Sequence, residues 1–98
     1  MEYGVTWEPE CWAAFVALYD GDEEDATDAS RSLEWRLSRD PYARNRHLAP
    51  GSDVYLTWLE PYKEHPAVAF SFRIVKERYR QHCVLEKARK TNVPDGLS

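Results

Sequence analysis

Between Ala67 and Val75 the chain reads Ala-Val-Ala-Phe-Ser-Phe-Arg-Ile-Val, with Val68, Phe70, Phe72 and Ile74 at every second position. In an extended strand these four share one face, and Ala69, Ser71, Arg73 and Val75 share the other. A strand of this kind is stable only inside a sheet whose phenylalanine face is covered by another layer. The rest of the chain has to supply both the neighbouring strands and that cover.

The strands are found on either side. Val54 to Leu59 is apolar on both faces and is expected in the sheet interior. Tyr79 to Lys87 reads as the last strand, reached through a turn at Lys76–Arg78. At the other end, Tyr3, Val5 and Trp7 alternate with Gly4, Thr6 and Glu8, which predicts a short opening strand with one apolar face. The cover is helical. Pro9 suits a first helical position, and Cys11, Trp12, Phe15, Val16, Leu18 and Tyr19 recur at helical spacing over Glu10–Tyr19. Gly21 suits the end of that helix, and the acids from Asp22 to Asp25 suit the start of the next. Ala26, Ala29, Leu33 and Leu37 then form one stripe, and Asp40-Pro41 stops it. Trp35 lies off the stripe and is expected to face outward.

The expected fold is therefore α+β, in the order β-α-α-β-β-β. An antiparallel sheet carries a helical hairpin on one face, and the opening strand returns to the sheet edge. Residues 1–90 form a single domain and residues 91–98 a flexible tail.

Charge is divided unevenly along this plan. The first thirty residues hold nine acids and no lysine or arginine, and the remaining 68 hold all thirteen bases against eight acids. The net charge of −4 hides a basic second half, and recognition depends on a local face, not on the sum. No apolar run approaches the ~20 residues that span a bilayer, and the first residues lack the order of a signal peptide. The expectation is a cytoplasmic protein without membrane contact. Cys11 and Cys83, the two cysteines, are expected to be buried free thiols. Neither belongs to a Cys-x-x-Cys pair, and the acid run Asp20–Asp28 lacks the calcium-loop spacing, so neither a metal nor a cofactor is expected.

Over roughly positions 3–90 this arrangement resembles the RelE/ParE superfamily of small bacterial toxins from type II toxin–antitoxin pairs. The resemblance is carried by Tyr3-x-Val5-x-Trp7-x-Pro9-Glu10, by Leu33 to Leu37 followed by Asp40-Pro41, and by the meander Val54–Leu59, Phe70–Val75 and Tyr79–Arg89. It implies a toxin neutralised by a cognate antitoxin. Relatives either cut mRNA on the ribosome with lysines, arginines and a tyrosine, or inhibit DNA gyrase through protein contacts. This chain departs from the ribonuclease pattern. Tyr55, Leu56, Thr57 and Trp58 stand where cations are usual, Arg73 arrives late in its strand, and no tyrosine follows Arg89.

Metal-independent RNA cleavage needs a base for the 2′-hydroxyl, an acid for the leaving oxygen and cations for the phosphorane. His82 is the candidate acid or base, with Arg80, Arg73 and Arg89 as phosphate-holding catalytic partners. Arg44, Arg46 and His47, with Tyr42 as a stacking surface, are the candidate RNA-binding loop. The plainer reading of both sets is a solvated charged surface. Two functions follow, a toxin that is either a metal-independent endoribonuclease or gyrase-directed, and a non-catalytic protein-binding module on the same fold.

Overall fold

The computed structural model describes residues 3–42, 46–47 and 53–91. It has two helices and five strands: β1 Gly4–Trp7, α1 Pro9–Leu18, α2 Glu23–Arg39, β2 Arg46–His47, β3 Val54–Leu59, β4 Val68–Lys76 and β5 Gln81–Lys90. The strands form one sheet in the order β1-β5-β4-β3-β2. β3, β4 and β5 are the expected antiparallel meander, and the opening strand returns to the edge beside β5. That last pairing is parallel, so the sheet is mixed, not wholly antiparallel.

The sheet is also wider than expected. The segment read as a loop contains β2, which pairs Arg46 with Leu56 and His47 with Tyr55. A two-residue strand carries no alternation, so nothing in its sequence could announce it. β3 lies between β4 and β2 and is interior, as expected, together with β4 and β5. The apolar outer face of β3 is only half-buried at Val54, Leu56 and Trp58.

Helix boundaries follow local chemistry. Pro9 opens α1 at a position where a missing N–H costs nothing. At its end, Gly21 N–H donates to the Val16 carbonyl at 2.9 Å and Asp20 N–H to Ala17 at 3.1 Å. This is a Schellman closure, with left-handed backbone at both Asp20 (φ 56°) and Gly21 (φ 78°). The cap thus begins one residue before the glycine. Asp22 then caps α2, its side chain accepting from Asp25 N–H at 3.0 Å.

The core lies between the helices and one sheet face. Val68, Phe70 and Phe72 are wholly buried there, as are Phe15, Tyr19, Ala26, Leu33 and Leu37 from the helices. Phe15 stacks on Trp7 at 5.6 Å and meets Phe70 edge-on at 5.2 Å, with Tyr19 at 4.6 Å. Trp35 does face outward, 63% exposed beneath the Arg39 guanidinium. Cys11 and Cys83 are buried free thiols, and burial pushes them up to about 12 and about 11. Among the described residues no helix is long and apolar enough to cross a membrane.

Two outcomes test this packing. Phe15→Ala should cost about 3–5 kcal/mol, the range for deleting a buried ring, read from denaturant unfolding. Both thiols should stay inert to an aromatic disulfide reagent at pH 8 and react fully once the chain is unfolded.

Candidate functional site

The face of the sheet away from the helices carries the sequence-predicted catalytic residues, and the strand register fixes their separation. Val75 pairs with His82, Arg73 with Val84 and Ala69 with Arg89. His82 and Arg73 are therefore diagonal neighbours, with Cβ atoms roughly 7–8 Å apart. Arg89 is seven residues further along β5, roughly 20 Å from His82 at ~3.3 Å per residue. Arg80 is not on the strand. It lies in the turn between β4 and β5, where its carbonyl accepts from Glu77 N–H at 2.8 Å. Strand β5 starts at Gln81, and the exposed Tyr79 and Arg80 belong to the connection Glu77–Arg80 between the last paired residues, Lys76 and Gln81. The structure brings His82 near Arg73 and leaves Arg89 apart.

Carboxylates already occupy this face. Arg73 Nε meets Glu86 at 2.9 Å, and His82 Nδ1 is 4.0 Å from Glu77. Glu86 follows Val84 by two residues on the same face, which makes it a diagonal neighbour of Arg73, and β5 bulges at this point. The pairing slips between Ser71/Lys87 and Phe72/Leu85, so Glu86 and Lys87 both turn outward. Beyond the bulge the strand is in opposite phase, which leaves Ala88 facing α1 and Arg89 facing out.

A groove of about 520 Å³ runs along this half of β5. Ala14, Leu56, Ala69 and Ala88 form part of its wall, and Glu10, Glu86, Lys87 and Arg89 supply two charges of each sign. Of the candidate catalytic set only Arg89 lines it.

The candidate RNA-binding loop is less fully described. Arg44 lies outside the described residues. Arg46 and His47 contribute the backbone of β2, and their side chains are likewise outside. Tyr42 is 48% exposed, with its ring edge against Tyr55 at 5.7 Å.

A second polar cluster was not foreseen. Asp25, in the first turn of α2, receives Lys63 Nζ at 2.8 Å on one oxygen and lies 2.9 Å from His65 Nε2 through the other. Lys63 and His65 come from a tight turn in which His65 N–H donates to the Tyr62 carbonyl at 2.8 Å. That turn holds Lys63 in the left-handed region at φ 53°. The His65 ring stacks on Tyr19 at 4.1 Å, nearly parallel. Tyr19 is wholly buried, yet its hydroxyl has no hydrogen-bond partner among the described residues. An unpaired buried hydroxyl costs about 1–3 kcal/mol. Sequence reading gave His65 no role, since forty residues separate it from Asp25 and only the fold joins them. A histidine beside a proline in a connection gave no other signal.

The hydrogen bonds from Lys63, then from His65, hold the Asp25 carboxyl below its ordinary value of 3.8. A carboxyl lowered in the folded state stabilises the protein above the ordinary carboxylate range, and this is lost as the pH falls through the folded value. Asp25→Asn should therefore lower the thermal midpoint at pH 7. The gap to the parent should close as the pH falls from about 4 towards about 2, measured by circular dichroism melting across that range.

Comparison with protein-family models, with curated proteins and with solved structures finds no match to this chain.

Proposed function

We propose that this chain is a RelE/ParE-like toxin component that inhibits growth by binding a protein target, as the gyrase-directed relatives do, and that an antitoxin restrains it. The observation that carries the choice of target is the groove along β5. It presents Glu10 and Glu86 beside Lys87 and Arg89, with an apolar wall between them. A nucleic-acid backbone laid there would meet two carboxylates. A protein surface with mixed charges would find complementary partners for both signs and an apolar strip to cover.

The arrangement of the candidate catalytic residues supports binding over cleavage. Acid–base catalysis needs its groups within hydrogen-bond reach of the same reacting atoms. His82 and Arg89 are roughly 20 Å apart along one strand, and Arg73 is engaged by Glu86. The resemblance itself draws support from the element order and from β1 lying beside β5 at the sheet edge. A non-catalytic adaptor on the same fold shares all of these features except toxicity, so growth decides between them.

Induced expression in a bacterial host, with and without the product of the neighbouring gene, is the test. Growth should stop and be rescued by that neighbour. His82→Ala should arrest growth as strongly as the parent, and Lys87→Glu with Arg89→Glu should relieve the arrest. Purified protein should inhibit gyrase supercoiling and leave mRNA uncut on ribosomes. Codon-specific mRNA cleavage that disappears in His82→Ala would establish the ribonuclease reading instead, and unimpaired growth would establish the adaptor.

A further inference from the structure

The unforeseen cluster around Asp25 is separate from the β5 groove and independent of the toxin reading. We propose that Asp22, Asp25 and His65 form a binding site for one divalent transition-metal ion of the zinc class.

Their donor atoms, one from each side chain, all lie within 4.8 Å of one another. Around a tetrahedral ion with bonds of about 2.0–2.2 Å, ligand atoms sit roughly 3.3–3.5 Å apart. Binding an ion would draw the three donor atoms together by side-chain rotation. The donor set selects the metal. One imidazole nitrogen with two carboxylates suits zinc and its neighbours, whereas calcium and magnesium prefer oxygen throughout. His65 binds through Nε2, the nitrogen now 2.9 Å from Asp25.

Two further observations distinguish this cluster from ordinary solvated acids. The first is Tyr19. It lines the same cavity, of about 410 Å³, together with Asp22, Asp25 and His65. Its buried hydroxyl has no hydrogen-bond partner among the described residues. Water completing the coordination of the ion would occupy the cavity and give that hydroxyl a partner. The second is Lys63, whose ammonium stands 2.8 Å from Asp25. The cluster thus already holds a cation against this carboxylate. The Lys63 side chain is 58% exposed, so it can swing into solvent and give way to an ion of higher charge. The ion would tie the cap of α2 to the connection between β3 and β4.

Zinc titrated into the purified full chain tests this, followed by calorimetry and thermal melting, with cobalt(II) as a visible reporter. The expected result is one ion per chain, a raised melting midpoint, and cobalt absorption bands in the visible. Asp22→Asn keeps a side chain that caps a helix well, so its metal-free midpoint should match the parent while its zinc affinity falls at least tenfold. Lys63→Met removes the competing ammonium and should bind zinc more tightly. The proposal is overturned if no stoichiometric binding is seen. It is equally overturned if Asp22→Asn binds as well as the parent, which would put the ion at another histidine, or if Lys63→Met binds more weakly.

Discussion

The contact on which the structure depends is the packing of Phe15 among Trp7, Trp12, Tyr19 and Phe70. The ring centroids lie between 4.6 and 5.7 Å from that of Phe15. These five rings come from β1, α1, the residue that closes α1, and β4, so one aromatic cluster joins the opening strand, the first helix and the central sheet. Aromatic pairs add about 0.5–1.5 kcal/mol each beyond the area they bury. In a chain of 98 residues, with little room for a second core, such a cluster is a large share of what holds the layers together. Tyr19 extends it outward to His65 and Tyr62. The polar cluster around Asp25 is thereby braced against the core and is not a loose surface feature.

Where hydrophobic period and capping chemistry speak together, the chain was legible. The strand with Val68, Phe70, Phe72 and Ile74 turns those residues inward, and the stripe Ala26, Ala29, Leu33 and Leu37 is buried as its spacing predicts. The misses have physical causes. β5 was expected to end at Lys87 because the bulge puts two outward charges in succession, and an alternation reading breaks at such a phase slip. β2 is too short to have a period. Arg80 sits two residues before His82, so alternation alone placed both on one face, but the turn takes up Arg80 before the strand begins.

The candidate sites divide in the same way. Residue types suitable for RNA chemistry were visible in the sequence, but their spacing in space depends on register, which alternation does not give. Arg73 and His82 became neighbours because β4 and β5 form an antiparallel pair, and Arg89 lies apart because it is seven residues further along the extended β5. Asp25 and His65 carried no local signal. Each is an ordinary residue where it stands, and their meeting depends on α2 and the β3–β4 connection being brought to the same end of the core.

The parallel pairing of Gly4–Trp7 with His82–Leu85 also has a consequence for synthesis. A ribosome delivers β1 and α1 first, yet the strand beside β1 is the last one in the described chain. Until β5 emerges, Trp7 and Phe15 cannot complete the sheet they pack against. The nascent chain must carry exposed aromatic rings until β5 has been made, and the fold cannot close before then. The β5 groove, whose walls come from α1, β3, β4 and β5, is therefore absent until that last strand is in place, so a partner that recognises it can meet only the closed fold.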